Sequence, residues 1–554
     1  MKKYLTIIIL TICLLIGGFL RTIHFTKNPI SLNIDEINFG YSAYSILKTG
    51  RDEYGVFMPI SFQSTGDYKN PVPVYLKVPF IYLSGLNEFS VRLPNVIFGT
   101  FGILVFYYLF LSLVKNKTIA LTSTALSAIS AWHIYFSRYS YEGLIAITFV
   151  CLGMIFLLRI FENKFHNSFF SAFFFILSMY TYYTERIFVP LIVIVFLFFN
   201  LSKLKKHSKS ILIFLGFCFI FSIPLLYSTL FGPDSARLKM VFIGNDIEFT
   251  RNYVSSFTNS NTSIDLINNQ NLYLFFFCLQ RYINYFDPGF FFFNGLNMTL
   301  PGTVGLGILY IFELPFLIIG IVEIFKKKLN YGYFLLAWIV IGFFPASITN
   351  NEYNAGRALV AIPALLLIVG TGAVSFVSWL KNLKQPWKYS IFTAYCLLIF
   401  LTLFHAFLVF KVHYPFTRGE DFMEGTKESI QYALANRDEY DEIVLDPYRG
   451  VQAGDIFNIP DMYLLFYSAY DPAKLQKLKA NFNQTGTKID KFTIRKIYWP
   501  DDRSKKNTLY IGSPWSLNLK DLKEEQILKK IYLTNGQLAL LIVKSEEQSR
   551  GPGN

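Results

Sequence analysis

Charged residues are scarce in this chain of 554 residues. Asp, Glu, Lys and Arg together make up 16% of it, whereas hydrophobic residues make up 53% and aromatic residues 18%. A soluble protein of this length would carry more charge, because its large surface must be hydrated. The composition therefore excludes an ordinary soluble protein and predicts a polytopic α-helical membrane protein.

Cysteine and histidine are also rare. The five cysteines fall within apolar runs or beside them, so the sequence predicts no disulfide framework and no thiolate metal site. The six histidines form no HxxxH or HExxH arrangement, so no histidine-built metal site is predicted. The sequence identifies no metal ligands, and a divalent ion stays open as a cofactor.

Long apolar runs are abundant by contrast. A helix needs roughly 20 apolar residues to cross the hydrocarbon core, and runs of about that length predict about eleven transmembrane helices. They cover residues 4–20, 94–114, 118–136, 143–158, 169–183, 187–200, 211–230, 304–325, 331–349, 358–380 and 391–410. No cleavage site of small residues follows the first run, so we expect a retained anchor there. The shorter segment 271–286 predicts an interfacial or re-entrant helix.

Lysine and arginine concentrate in alternate loops between these runs. By the positive-inside rule this pattern predicts a cytoplasmic N-terminus in the plasma membrane of the cell. The net charge of +14 is then a consequence of topology, and no nucleic-acid partner is implied. Three segments would lie outside the cell: a first loop 21–93, a long loop 231–303 and the tail.

The tail has a different composition from the rest of the chain. Between residues 411 and 554, helical periodicity alternates with short runs typical of β-strands, such as NTLYIG and QLALLIVKS. This pattern predicts a small extracytoplasmic α/β domain of about 140 residues, a common domain size. The chain would thus have two domains, a transmembrane domain 1–410 with its loops and a soluble domain 411–554.

The first outer loop opens with a predicted helix that carries two adjacent acids. Asn33 is a suitable N-cap, Asp35 and Glu36 occupy the first turn where negative charge suits the helix dipole, and Gly50 is a typical terminator. Capping alone explains the acidic pair, so a catalytic role needs support from its surroundings.

Further polar residues gather at the outer ends of the predicted spans. Any one of them is typical of a charge that reaches water or lipid headgroups. Their concentration at one membrane face, with acids and bases alternating, instead indicates a site. They include Asp67, Lys69, Arg92, Arg138, Glu142, Glu185, Arg186 and Arg357.

These residues lie in motifs that resemble a known superfamily. The order of DE, TGRDEYGVFMP, DYKNP, NEFSVRLP, SRYSYEG, RIFVP, LYIFELPF and GRALVAIP is similar to the GT-C superfamily of polyprenyl-phosphate-dependent glycosyltransferases. Within it, the chain resembles the bacterial branch related to protein O-mannosyltransferases and to the lipid A aminoarabinose transferase. The resemblance covers residues 1–410 and implies a GT-C fold.

The resemblance also implies roles for individual residues. Asp35 would be the general base, Glu142 a second acid that orients substrate, and Glu36 a further member of the catalytic group. Binding of the lipid phosphate or donor would fall to Lys69, Arg92, Arg138, Arg186 and Arg357. Residues expected to line the substrate are Asp67, Tyr68 and Tyr183. Asn70 separates Lys69 from Pro71, a departure from the aminoarabinose transferase pattern, so no metal ligand beside the lysine is implied.

The implied function is transfer of a hexosyl or pentosyl group from a polyprenyl-phosphate-linked donor to a glycan, lipid or protein acceptor outside the cell, with inversion. Its partners would be that donor, membrane lipids and an unidentified acceptor. A transporter or flippase of lipid-linked sugars is the alternative, and a sensor or scaffold that acts through its tail is a third. Transporters more often place charges at mid-membrane depth and break their helices there, so the charges at one face favour the enzyme.

Overall fold

The computed structural model describes residues 2–64, 67–232, 234–245, 247–258, 269–296, 304–349, 353–451, 456–478 and 486–545. Its contacts divide the chain into two compact units. The membrane unit comprises Met1–Ile23, Asn70–Val72 and Asn95–Phe410, and the loop–tail unit comprises His24–Lys69, Pro73–Pro94 and Lys411–Asn554.

This division also separates Phe410 from Lys411, but it differs from the predicted domains in the assignment of the first loop. The first loop belongs to the same unit as the tail, because apolar side chains of the loop, Leu32, Ile37 and Tyr41 among them, are buried in one cluster with side chains of the tail.

Up to residue 417 the chain is largely helical. The α-helices, in chain order, are α1 (Lys2–Thr22), α2 (Ile34–Thr49), α3 (Pro71–Ser84), α4 (Glu88–Val114), α5 (Lys117–Ile129), α6 (Ala131–Ser137), α7 (Glu142–Leu158), α8 (Phe165–Met179), α9 (Glu185–Phe199), α10 (Leu201–Leu204), α11 (Ser208–Phe231), α12 (Asp234–Val241), α13 (Ile247–Thr258), α14 (Gln270–Asn284), α15 (Leu314–Lys326), α16 (Asn330–Ser347), α17 (Ile362–Lys381), α18 (Gln385–Leu408) and α19 (Tyr414–Thr417). Helix α14 coincides with the segment for which an interfacial or re-entrant helix is predicted.

A helix occupies each of the eleven positions at which a span is predicted. Within the described part of the chain, seven are long and apolar enough to cross a membrane, and the pair α5 and α6, bent by 52°, raises the number to eight. Helices α8, α9 and α15 have only 13 to 15 residues. The fold is that of a polytopic helical membrane protein, but the count of eleven spans is not confirmed.

The bend between α5 and α6 is stabilised by side chains from elsewhere in the membrane unit. Breaking a helix leaves carbonyl groups without their usual partners, which is costly in an apolar environment. The guanidinium of Arg21 donates to the carbonyl oxygens of Ser127 and Ala128, and the hydroxyl of Tyr310 donates to that of Ile129. The last carbonyls of α5 are therefore hydrogen-bonded despite the break.

The loop–tail unit holds the strands. They are β1 (Phe62–Ser64), β2 (Asp67–Lys69), β3 (Glu442–Leu445), β4 (Tyr448–Arg449), β5 (Ile456–Phe457), β6 (Thr487–Ile489), β7 (Phe492–Ile494), β8 (Thr508–Gly512), β9 (Ile527–Tyr532) and β10 (Leu538–Lys544). The tail helices are α20 (Thr426–Ala435), α21 (Pro460–Tyr467), α22 (Pro472–Lys477) and α23 (Trp499–Asp502).

Six of these strands form one mixed sheet in the order β6-β7-β3-β8-β10-β9. Strand β3 runs parallel to β7 and β8, and the other pairs are antiparallel. The predicted C-terminal α/β fold is thus confirmed. Helices α21 and α22 are separate because Ala469 adopts a positive φ of 46° and Pro472 starts a new helix.

Candidate active site

Helix α2 begins with the predicted cap. The backbone N–H of Glu36 donates to Oδ1 of Asn33 over 2.8 Å, and the N–H of Asn33 donates to Oε2 of Glu36 over 3.1 Å, which makes a reciprocal capping box. Gly50 ends the helix with a φ of 69°, a conformation that suits glycine. Asp35 lies in the first turn without being needed for the cap.

The side chain of Asp35 is half-exposed and pairs with a lysine. Nζ of Lys69 lies 2.5 Å from Oδ1 of Asp35 and 3.1 Å from Oδ2 of Asp67. Lys69 reaches this place because it ends β2, which pairs with β1 in a short antiparallel ribbon. We call Asp35, Asp67 and Lys69 the Asp35 site. It presents a carboxylate with a buried ammonium group directly behind it.

Tyr68 lies between the two polar residues of β2. Its backbone N–H donates to Oδ1 of Asp67 over 2.7 Å, and its side chain is partly exposed. The structure therefore brings together four of the predicted site residues from the first loop, namely Asp35, Asp67, Tyr68 and Lys69.

Glu36 and Arg92 form a different kind of pair, with both side chains fully buried. Nε and Nη2 of Arg92 lie 2.8 Å and 2.9 Å from the two carboxylate oxygens of Glu36. The remaining donors of Arg92 bind the backbone carbonyls of Phe25, Pro29 and Ser31. This geometry leaves neither side chain a surface for substrate. We therefore reassign Glu36 and Arg92 from catalysis and donor binding to holding the start of the first loop.

Arg138 has a similar structural environment. Its Nη1 donates to the carbonyl of Leu20 over 2.9 Å and its Nη2 to that of Ile23 over 2.7 Å, at the C-terminal end of α1. A cation there satisfies terminal carbonyls and complements the helix dipole. The side chain is buried, so we reassign Arg138 from phosphate binding to capping α1.

Arg186 lies in a polar cluster of the membrane unit. Its Nη1 is 2.9 Å from Oδ2 of Asp234, its Nη2 donates to Oδ1 of Asn70 over 2.7 Å, and its guanidinium stacks 4.0 Å from the ring centre of Tyr183. The guanidinium of Arg237 lies 4.4 Å from the same ring. We call Arg186, Tyr183, Asp234, Arg237 and Asn70 the Arg186 site.

Three members of this site, Asn70, Asp234 and Arg237, were not predicted as site residues. Asp234 and Arg237 lie at the start of α12, in the long loop for which no motif was recognised. The signal that would have found them is the spacing of three residues between an acid and an arginine directly after a span, because residues i and i+3 share one helix face. Their contacts with Tyr183 could not be read from that spacing.

Glu142 and Arg357 share a third neighbourhood, also in the membrane unit. The hydroxyl groups of Tyr141 and Tyr182 lie 2.6 Å apart. Tyr141 directly precedes Glu142, and Gly356, directly before Arg357, lies against the ring and hydroxyl of Tyr141. Glu142 is buried at the start of α7 and Arg357 is partly exposed. The separate roles predicted for Glu142 and Arg357 stay predictions.

No group of three or more His, Cys, Asp or Glu side chains that could hold a metal ion occurs among the described residues. In the Asp35 site the two carboxylates both contact the ammonium of Lys69. A divalent cation would have to displace that ammonium, so this donor set does not fit a metal ion as it stands.

Taken together, the spans and the sheet define a polytopic membrane protein that also carries a sheet domain. Residues 68–227 match the family model described as dolichyl-phosphate-mannose-protein mannosyltransferase. No match was found among the curated proteins. The match to the family model supports the resemblance to the GT-C superfamily.

Solved structures have a similar fold over most of the chain. ArnT from Cupriavidus metallidurans matches in its apo state, with a TM-score of 0.52, 11% identity and 98% of both chains covered. Its complex with undecaprenyl phosphate gives a TM-score of 0.51 and 12% identity and covers 100% of this chain and 99% of that one. These likenesses confirm the predicted GT-C type of fold.

The oligosaccharyltransferase of Archaeoglobus fulgidus, tethered to an acceptor peptide, is also similar. The TM-score is 0.52 with 12% identity, and the match covers 84% of this chain. The chain spans 63% of the length of that protein.

Proposed function

We propose that this chain is a membrane glycosyltransferase that moves a sugar from a polyprenyl-phosphate-linked donor to an acceptor. The fold, the family match over residues 68–227 and the complex of ArnT with undecaprenyl phosphate support this proposal. One observation carries it: the half-exposed carboxylate of Asp35 is backed by the buried ammonium of Lys69. A base beside a cation is what attack at a sugar phosphate requires.

The reaction we propose is a single displacement. An acceptor hydroxyl or amine attacks the anomeric carbon while the carboxylate of Asp35 takes its proton. The bond between that carbon and the phosphate oxygen breaks, and the polyprenyl phosphate leaves with the electron pair. Attack from the face opposite the leaving group inverts the anomeric centre.

Lys69 has two roles in this proposal. Its ion pair with Asp35 holds the carboxylate in place at the site. The same ammonium stabilises the negative charge that develops on the leaving phosphate, the kind of electrostatic assistance that contributes most in a site largely shielded from water.

The Arg186 site supplies guanidinium groups for an anionic head group. Arg186 and Arg237 both stack on Tyr183, and Arg186 pairs with the carboxylate of Asp234. Guanidinium binds phosphate oxygens in a bidentate manner, so this cluster suits the phosphate of the donor. Arg357 is assigned to the phosphate of the donor, and Glu142 to orienting the acceptor or the sugar, because the resemblance implies those roles.

The finer parts of the proposal concern the substrate and the orientation. We infer a hexosyl or pentosyl donor, a site and tail on the outer face of the cytoplasmic membrane, and an N-terminus in the cytoplasm. The distribution of lysine among the loops supports this orientation.

A panel of donors tests the proposal. Purified full-length protein in lipid nanodiscs is incubated with radiolabelled polyprenyl-phosphate hexoses and pentoses, with and without envelope lipids and glycans as acceptors. Release of polyprenyl phosphate together with label in an acceptor supports the enzyme. In proteoliposomes, movement of intact donor across the bilayer with no phosphate released would instead identify a flippase.

A further inference from the structure

Helix α2, which carries Asp35, is packed between two layers of the loop–tail unit. One face buries Phe39, Ala43 and Ile46 against the β1–β2 ribbon and α3. The other face buries Ile37 and Tyr41 in a cluster made mainly of tail side chains, from α20, α21 and the sheet. The tail therefore covers a whole apolar face of the helix, and no comparable surface of α2 is left for another partner.

Hydrogen bonds from the tail fix the N-terminal end of α2. The buried hydroxyl of Tyr463, on α21, donates to the backbone carbonyl of Leu32, directly before the N-cap. One turn further along α21, the hydroxyl of Tyr467 donates to Oε1 of Glu88, which also accepts from Nζ of Lys427 over 2.6 Å. Glu88 begins α4, the helix whose Arg92 holds Glu36 next to Asp35.

The C-terminal end of α2 is held by one amide group. Nε2 of Gln476, on α22, lies 3.0 Å from Oγ1 of Thr49, 3.3 Å from Oγ of Ser45 and 2.8 Å from the carbonyl oxygen of Asp52. Between the two ends, the hydroxyl of Tyr41 donates to the carbonyl of Tyr470 over 3.0 Å. The tail thus contacts α2 through polar groups at its start, middle and end.

We propose that the C-terminal domain positions the catalytic base, with Tyr463 and Gln476 as positioning residues that hold the two ends of α2. This inference rests on the proposed function, because it requires Asp35 to act in the reaction. Asp35 itself is half-exposed and points its carboxylate at Lys69, so its location depends on where the first turn of α2 lies. A displacement of about 1 Å in a catalytic group can cost about 100-fold in rate.

The sharpest test compares two tyrosines whose hydroxyl groups donate hydrogen bonds to different parts of the loop–tail unit. Tyr463→Phe removes one buried hydrogen bond to the loop before α2. Tyr510→Phe removes an equivalent buried bond, from the hydroxyl of Tyr510 to the carbonyl of Asp502, in a separate core cluster on the other face of the sheet. Both variants should lose a similar amount of stability, since a typical hydrogen bond contributes about 1 kcal/mol.

We expect the two variants to differ in turnover. Tyr463→Phe should lower kcat about tenfold with donor KM within about twofold of wild type, since the misplaced group is the base. Tyr510→Phe should keep the wild-type kcat. Gln476→Leu provides a second positioning variant at a partly exposed site, so the test holds even if Tyr463→Phe folds poorly. Equal kcat in all three variants would overturn the proposal.

A double-mutant comparison links the effect to Asp35. If Tyr463 acts through that carboxylate, Tyr463→Phe should cause no further loss of kcat in an Asp35→Asn background. Additive losses would overturn the positioning role. Failure of the proposed function gives a different result, since wild-type protein would then show no transfer with any donor or Asp35→Asn would transfer at the wild-type rate.

Discussion

Nζ of Lys69 lies 2.5 Å from Oδ1 of Asp35, although the two residues are 34 positions apart in the chain. We expect Lys69→Gln to lower kcat/KM by about 10²–10³, the usual cost of removing one group that stabilises developing charge. The rate of release of polyprenyl phosphate measures this effect. Lys529→Gln, which removes a half-exposed lysine paired with Glu428, is the control and should leave the rate unchanged. Equal rates for both variants would remove Lys69 from the mechanism.

The buried pair of Arg92 and Glu36 should contribute to stability rather than to catalysis. Arg92→Met leaves the carboxylate of Glu36 buried without its partner, and breaking such a pair costs about 3–5 kcal/mol. Thermal unfolding of the detergent-purified protein should show a large drop in Tm. The double variant with Glu36→Gln should recover part of it. An Arg92→Met protein with the wild-type Tm and only a raised donor KM would support the original donor-binding role instead.

The Arg186 site should affect donor affinity more than turnover. We expect Arg237→Gln to raise donor KM on the order of 10-fold, since hydrogen bonds to charged groups contribute about 1.5–3 kcal/mol, and to leave kcat near wild type. Tyr183→Leu should act in the same direction because the guanidinium groups lose the ring on which they stack. Arg251→Gln, at an exposed position of α13, is the control. A change in kcat with constant KM would contradict the assignment.

Glu53 should make the stability of the loop–tail unit depend on pH. Burial raises the pKa of this carboxyl, whose Oε1 accepts from the hydroxyl of Ser42, from an ordinary value of 4.5 to about 8. Between these two values the folded state holds a proton that the unfolded state has released. Stability should therefore fall as pH rises through this window, by up to about 1.4 kcal/mol per pH unit.

Glu53→Gln removes this titration while keeping an acceptor for Ser42. Its Tm should vary less than that of wild type between pH 5 and pH 8 and should be higher at pH 8. Glu525→Gln, at an exposed glutamate of the tail, should retain the wild-type dependence. Parallel Tm curves for wild type and Glu53→Gln would show that the pH dependence comes from other groups.

Local features of the site could be predicted from the sequence. The cap of α2 by Asn33 and its end at Gly50 involve residues within one turn of the helix termini, so the residue types alone determine them. The spacing of Ile37 and Tyr41 by about one helical turn likewise indicates an apolar face on α2. What covers that face could not be predicted, because its partners lie in the tail, with Tyr470, for example, 429 positions after Tyr41.

Long-range pairs explain why the roles we propose for Arg92 and Arg138 differ from those predicted from the sequence. The sequence around Arg92 does not indicate that its guanidinium binds Glu36 and three backbone carbonyls. The sequence around Arg138 likewise does not indicate that this residue caps α1. A charged residue at the end of a span gives the same sequence pattern whether its side chain faces substrate or protein. Helix α15 shows a related limit, because the apolar run begins at residue 304 whereas the α-helix begins only at Leu314.

The rate of sugar transfer by Asp35→Asn tests the account most directly. Asparagine has nearly the same shape but cannot accept the proton, and the capping box of α2 does not involve residue 35. Purified variant and wild type are compared for transfer from the donor that wild type uses, with Tm measured in parallel. We predict a loss of about 10²–10⁴ in kcat with Tm within a few degrees of wild type. Transfer at the wild-type rate by a folded Asp35→Asn protein would contradict the role of Asp35 as base.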